Sequence, residues 1–383
     1  MIKRRTIFLC ILGILAGWLF WLGFQPYQYP DREDIQLKVH YLARVIRQPF
    51  RTNADFRQLE YQNPEWSLFS CSFSSFALTN IAFLDTSFKV QAIELIDLAI
   101  QKVLTDTVYS HYVDTPNPFV PEVDTTGSIL YYGHLNMMLG CFRLLSKDDK
   151  YTALHDQLSA SLYSRFVGAR FHCLESYPGA IWIPDNAAGM ASLSIHRLCT
   201  GTEYEPLFRD WVAYARQHWM DQPTGLLCSR IDVHNGTQLE EPRGSMLGWS
   251  IFFIHYFDKS FARELYEIYR DTFSQNVWVL RLFTERYRDH ATNAGDIDSG
   301  PVVLGYSIPA NAFAFGDAVA LKDFRNARRL QRLIQIGSVR VIHNQELCYK
   351  TRLIDMPISP LAESLILYFE TMTDWVPQTD HDQ

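Results

Sequence analysis

The sequence has no Gly-rich phosphate loop, no dinucleotide fingerprint, no H-E-x-x-H and no G-x-S-x-G. Nucleotide hydrolysis, hydride transfer, zincin chemistry and α/β-hydrolase chemistry each need one of those local geometries, so none is supported. No C-x-x-C pair occurs among the 7 cysteines, which excludes a zinc ribbon. Positive charge is not in excess: 42 Asp and Glu outweigh 35 Lys and Arg. The net charge of -7 argues against a nucleic-acid partner, whose phosphates want a basic surface. Charged residues are only 20% and hydrophobic residues 48%, a composition that does not suit long disorder. A single membrane span, the N-terminal run, is expected.

What is present begins at the N-terminus. Lys3, Arg4 and Arg5 precede the uncharged stretch Ile7 to Phe24, IFLCILGILAGWLFWLGF. About twenty apolar residues cross a bilayer. The positive flank places the N-terminus in the cytoplasm and the chain after Gln25 in a periplasmic or other extracytoplasmic space. A cleaved signal peptide is the alternative, but Ala16-Gly17-Trp18 and Gly23-Phe24-Gln25 are poor small-x-small sites, so an uncleaved anchor is preferred. Cys10 lacks the small residues of a lipoprotein signal. Cys71, Cys141 and Cys199 fall in apolar helical runs and read as core. Cys173 and Cys228 fall in loop-like stretches, where a bridge is left open. The chain is thus divided into an anchor or signal peptide (1–24), a linker (25–31), one domain (32–376) and a polar tail (377–383).

Within the domain, helical periodicity predicts about twelve helices of two kinds. Trp66–Phe83, Leu130–Leu145, Asn186–Cys199, Ser245–Phe257 and Pro301–Ala320 are apolar nearly all round. Asp34–Gln48, Ser87–Leu104, Tyr151–Phe166, Glu205–Trp219, Ser260–Phe273 and Asp323–Ile336 are amphipathic or charged on one face, and Pro360–Thr373 closes the series. A helix apolar on every side must be enclosed by protein, and an amphipathic one covers it. This alternation predicts an all-α (α/α)6 toroid of two concentric helix rings, with an open solenoid as the alternative because periodicity says nothing of closure. Arg325, Arg328, Arg329 and Arg332 are expected on the solvent face of the outer ring. A hairpin is expected around Asn235-Gly236, which together with Thr237 also forms a glycosylation sequon.

Polar and aromatic residues gather at the starts of the apolar helices. They are Glu65 and Trp66; Asp124, Tyr131, Tyr132 and His134; Glu175, Tyr177, Trp182, Asp185 and Asn186; Arg243 and Ser245; Asp296, Asp298 and Ser299; and Glu363. A toroid turns all those starts toward one funnel. Asp185, Asn186 and Ser299 also suit helix capping, and Pro301 suits an early helical position. Asp296-x-Asp298 holds two acids where one cap suffices. The same D-x-D-x-G beginning lacks the distal Glu of a calcium loop. Asp185 is assigned as general base, Asp298 as acid or substrate-orienting group, and His134 as proton shuttle or hydroxyl ligand. The remaining site residues, Tyr131, Tyr132, Glu65, Trp66, Glu175, Tyr177, Trp182, Asn186, Arg243 and Asp296, are expected to hold substrate. No metal or cofactor is expected.

The segment Tyr131-Tyr132-Gly133-His134-Leu135 through Gly140 resembles the tyrosine, small, Gly-His-Leu stretch of the linalool dehydratase/isomerase family. Pro184-Asp185-Asn186, with its small-residue helix, and Gly201-Thr202-Glu203-Tyr204 are similar to that family's next segment, and together the likeness covers about a quarter of the chain. It implies an (α/α)6 toroid, an extracytoplasmic location and acid–base chemistry without a cofactor. By this resemblance only His134 carries over as catalytic; the family's paired cysteines are absent, and Glu175 or Ser176 and Asp185 stand near their places. Three functions follow. The preferred one is a hydrolase or lyase acting on a glycan or polyhydroxy substrate. The others are a hydro-lyase or isomerase like that family, and a non-catalytic binding scaffold whose acids are caps. The expected partners are a small-molecule or glycan substrate and the lipid bilayer through residues 7–24.

Overall fold

The computed structural model describes residues 2–48, 65–105, 108, 111–112, 127–287, 295–296, 299–300 and 302–375. Helix α1, Ile2–Phe24, precedes a domain whose helices alternate as the sequence pattern predicts. Six form an outer series: α2 (Arg32–Arg47), α4 (Lys89–Val103), α6 (Thr152–Gly168), α8 (Glu205–His218), α10 (Lys259–Thr272) and α12 (Phe324–Gly337). Six form an inner series: α3 (Glu65–Leu84), α5 (Ile129–Leu145), α7 (Ile183–Thr200), α9 (Gly244–Ile254), α11 (Ile308–Ala320) and α13 (Pro360–Glu370). Each inner helix packs on the next, and α13 packs back on α3. The ring is closed, which decides against an open solenoid.

Side-chain caps set many of the helix starts. Ser128 Oγ accepts from Tyr131 N–H at 3.3 Å to open α5, and Ser307 Oγ accepts from Ala310 N–H at 3.1 Å to open α11. Small residues let the inner helices approach. A Cβ on Gly133 would stand 3.0 Å from the Gly189 nitrogen, so α5 and α7 touch backbone to backbone. The axis is filled by rings: Phe69, Phe73 and Phe76 of α3, Trp249, Phe252 and Phe253 of α9, Phe313 of α11, and Tyr368 and Phe369 of α13. Such an interlocked aromatic cluster buries large apolar area with few degrees of freedom.

The connections are unequal. An inner helix reaches the next outer one in a few residues, whereas outer-to-inner connections carry the sheets. Strands β1 (Ile181–Trp182), β2 (Arg230–Ile231) and β3 (Gln238–Glu240) form one antiparallel sheet. β4 (Ser274–Val277) pairs with β5 (Leu280–Phe283), β6 (Val302–Val303) with β7 (Tyr306–Ser307), and β8 (Ser338–His343) with β9 (Glu346–Thr351). These sheets therefore stand at the end where the inner helices begin, which is the mouth of the toroid. The Asn235-Gly236 turn joins β2 to β3 as expected, with Gly236 at φ 73°.

Several expectations are corrected. The stretch read as one helix from Pro301 to Ala320 opens with the β6–β7 hairpin, and the helix begins only at Ile308, where Ser307 supplies the cap. Arg328 and Arg332 are buried, not exposed. Arg328 Nη2 donates to Gln25 Oε1 at 2.6 Å and Arg332 Nη2 to the Gln25 carbonyl at 3.2 Å, because residues 25–28 lie across α12. Arg325 is exposed as expected. The polar tail lies outside the described residues. All seven cysteines, Cys173 and Cys228 included, are free thiols. Helix α3 is long and apolar enough to cross a membrane, but the ring encloses it, whereas Ile7, Phe8, Leu9 and Ile14 of α1 are exposed.

Two of the buried carboxyls are pushed toward the protonated form. Asp317 of α11 has neither oxygen partnered among the described residues, and burial alone pushes its carboxyl well above the usual range. Glu363 of α13 is pushed up to about 8 by burial, with Glu370 adding to the rise, against the Tyr349 N–H it accepts and the charge of Lys38. Each is protonated when folded and ionised when unfolded above about pH 4. The folded state then binds more protons, so stability falls as pH rises from there, and for Glu363 the loss levels off above its folded value. Asp317→Asn is expected to stabilise by about 1–3 kcal/mol at pH 8, with the gain vanishing near pH 4. Glu363→Gln should behave alike, and melting curves across that range check both.

Candidate active site

The starts of α3, α5 and α7 meet at the mouth. Ile129 N–H, opening α5, donates to the Glu175 carbonyl at 3.0 Å, which ties it to the segment leading into α7. Tyr177 of that segment donates its phenol to Glu65 Oε1, in the first turn of α3. Asp185 lies in the first turn of α7 and is buried at 6% exposure. Negative charge is favoured at both positions by the unsatisfied N–H groups of the helix end.

Two phenols connect these carboxyls. Tyr177 stacks on Tyr112 at 6.1 Å, and Tyr112 on Tyr131 at 5.3 Å. Burial first, then Glu65 and Asp185, push the Tyr112 phenol well above its usual range. Tyr177 is raised by burial, Glu65, Tyr112 and Asp185. Both carboxyls thus act on the same pair of desolvated phenols, although 120 residues separate them in the chain. Among the described residues the buried Tyr112 hydroxyl has no hydrogen-bond partner. Trp66 and Trp182 are half-buried next to the two acids in sequence, and the Arg230 guanidinium lies 5.5 Å over the Trp182 ring.

The second convergence lies at the starts of α9 and α11. Arg243 Nε donates to Glu285 Oε1 at 2.9 Å, its Nη2 to Asp296 Oδ1 at 2.7 Å, and its Nη1 to Glu240 Oε1 at 3.3 Å. Glu285 also accepts from Ser245 Oγ at 2.8 Å and Ser307 Oγ at 2.8 Å. Arg243 and Glu285 are each 2% exposed. Against the effect of burial, the Ser299 N–H first and then the Arg243 hydrogen bond and charge hold the Asp296 carboxyl below its usual range. The sheet β1–β2–β3 joins the two convergences: Ile183 N–H donates to the Ser229 carbonyl at 3.0 Å, and Arg243 N–H to Ser229 Oγ at 3.2 Å.

No family model matches the chain. Among solved structures, the chain is similar to an inactive variant of the alpha-1,6-mannanase GH76A of Salegentibacter sp. HEL1_6 in complex with alpha-1,6-mannotriose. The match has a TM-score of 0.50 at 11% identity and covers 89% of this chain and 99% of that one. That neighbour is an (α/α)6 toroid. The likeness is one of fold.

Other residues expected in the site are engaged elsewhere. Arg243 is a buried clamp and not a substrate ligand, since three carboxylates take its guanidinium. Asn186 is fully buried: it donates to the Leu174 and Trp182 carbonyls at 3.0 and 2.8 Å and accepts from Leu174 N–H at 2.7 Å. It does not cap α7, which begins at Ile183. Tyr131 is core, its hydroxyl donating to the Val103 carbonyl at 2.9 Å, and Tyr132 packs on it at 5.3 Å. Glu175 closes its own turn by accepting from Gly179 N–H at 2.7 Å.

His134 is held in the axial cluster, with Nδ1 2.9 Å from Ser72 Oγ and rings of Phe69, Phe73 and Trp249 around it. Burial lowers it to about 3, so the imidazole is neutral. Asp298 and Asp124 lie outside the described residues. Among the described residues no group of three His, Cys, Asp or Glu could hold a metal ion. Two residues escaped the sequence reading, Tyr112 and Glu285. Neither stands at a helix start, which was the signal used to find the others.

Proposed function

We propose that the protein is a membrane-anchored, extracytoplasmic glycan hydrolase that uses acid–base catalysis at the mouth of the toroid. The observation that carries this reading is the hydrogen bond from Tyr177, on the segment that leads into α7 and its first-turn Asp185, to Glu65 in the first turn of α3, which brings the starts of two inner helices together. Hydrolysis of a glycosidic bond needs two carboxyls with different protonation states. Asp185 serves as base and takes a proton from the attacking water. Glu65, whose Oε1 accepts from Tyr177, is the second carboxyl; with one proton shared between the pair, it protonates the bridging oxygen as the bond breaks. Trp66 and Trp182 offer faces on which sugar rings stack. Asp298 remains a candidate for orienting substrate. Helix α1, with its exposed apolar surface, spans the bilayer with Lys3, Arg4 and Arg5 on the cytoplasmic side.

The structural neighbour is described as inactive with two consecutive aspartates changed to asparagine. The consecutive aspartates of this chain, Asp148 and Asp149, are exposed in the α5–α6 connection, at the end opposite the mouth. The pair proposed here is therefore drawn from separate helices. A second reading places hydro-lyase or isomerase chemistry at His134, supported by its buried Nε2, which has no hydrogen-bond partner among the described residues. One experiment separates the readings: full-length protein in detergent, offered labelled oligosaccharides, alpha-1,6-mannotriose among them, and an apolar allylic alcohol. Cleavage of an oligosaccharide is expected. Turnover of the alcohol alone supports the second reading, and no turnover at all supports a binding scaffold.

A further inference from the structure

The segment that follows the apolar helix α1 is not slack. Gln331 Nε2 donates to the Gln28 carbonyl at 2.6 Å, and Tyr27 stacks on Phe324 with ring centroids 5.7 Å apart. At the exit of α1, one guanidinium makes two contacts. Arg332 donates through Nη2 to the Gln25 carbonyl at 3.2 Å and through Nη1 to the Val279 carbonyl at 3.1 Å. Val279 is in the two-residue turn of the β4–β5 hairpin, and its neighbour there is Trp278. The tip of that hairpin thus lies within a side chain's reach of the residue that follows α1.

Trp278 is 77% exposed and sits at φ 57°, a backbone region that a bulky residue enters only at a cost. Asn or Gly would relax this turn, so folding does not account for a tryptophan there. A second apolar group stands one turn further along α12. Arg352 donates to the carbonyls of Ile336 at 2.9 Å and Ser338 at 2.8 Å, and this anchors the loop in which Leu353 is 96% exposed and Ile354 65%. Arg281 and Arg329 flank the hairpin, bonding Asn276 Oδ1 at 3.2 and 2.6 Å.

We infer that this face is a second bilayer contact, with Trp278, Leu353 and Ile354 seated in the membrane–water interface around the exit of α1. The inference rests on the reading of α1 as a span. If α1 ends at the interface, a residue held at hydrogen-bonding distance from Gln25 stands at headgroup depth. Tryptophan favours that depth, and arginine there meets lipid phosphates. The β4–β5 and β8–β9 hairpins both belong to the mouth end, and Tyr306 Oη of the next hairpin donates to Gln275 Oε1 at 2.9 Å. The rim of the mouth then lies against the bilayer surface, and the docked linker fixes that tilt.

The test uses full-length protein in vesicles of phosphatidylcholine with a minor share of phosphatidylglycerol, whose acyl chains are brominated to quench tryptophan. Trp278→Phe is expected to remove about a third of the quenchable emission, since Trp18 and Trp21 of α1 supply the rest. Leu353→Trp should add quenchable emission, whereas Val90→Trp, on the exposed face of α4, should add emission that is not quenched. Unchanged quenching in Trp278→Phe, with Trp18 and Trp21 still quenched, overturns the rim contact and leaves the anchor standing. No quenching of any tryptophan overturns both.

Discussion

Asp185→Asn is expected to lower turnover by about 100–10,000-fold on the substrate that the oligosaccharide panel identifies, the range that loss of a positioned acid or base produces. The amide keeps the size of the side chain but cannot take a proton from water. Glu65→Gln removes the proton donor and should fall in the same range. Tyr177→Phe keeps the ring and loses the hydrogen bond to Glu65, so a loss of about tenfold in kcat/KM is expected. Melting transitions of all three should stay close to that of the parent. If Asp185→Asn keeps full turnover, Asp185 is a helix-end residue only and the site lies elsewhere.

Arg243→Met is expected to destabilise the domain by about 3–5 kcal/mol, the cost of stranding a buried charge. Glu285 keeps its bonds to Ser245 and Ser307 but loses the cation that offsets its desolvation, in a place with 2% exposure. Asp296 and Glu240 lose a donor too, though each stands partly in solvent. The double variant Arg243→Met with Glu285→Leu should recover much of the loss, since apolar groups of similar volume replace a buried ion pair at little cost. The urea midpoints of parent, single and double variants form a cycle that measures the coupling. Additive losses would mean that Arg243 stabilises the mouth through Asp296 and Glu240 instead. Because the clamp joins α9, α11 and two hairpins, its loss should also loosen the rim.

Much of the architecture was legible in the chain because burial is periodic. The helices from Glu65, Ile129, Ile183 and Gly244 are apolar on every side, and nothing but enclosure by other helices satisfies that pattern. Caps such as Ser128 and Ser307 are local chemistry, although the hairpin before Ser307 was missed: Pro301 suggested an early helical position, and the short strands offered no alternation to read. The sequence also marked the helix starts as the place where acids and rings collect. It could not say which of them meet. Ring closure, the pairing of Glu65 with Tyr177, the consumption of Arg243 by Glu285, the enclosure of His134 by phenylalanines and the docking of Gln25 on Arg328 and Arg332 all join residues more than 40 positions apart. By itself the sequence determined the two classes of helix, the apolar N-terminal helix and the clustering of acids and rings at the helix starts, since these follow from spacing within a few turns. Which carboxyls are locked in an ion pair, as Glu285 is on Arg243, was decided by tertiary structure alone, because a charge is committed by what lies within a few ångströms of it, and that is set by how the ring closes.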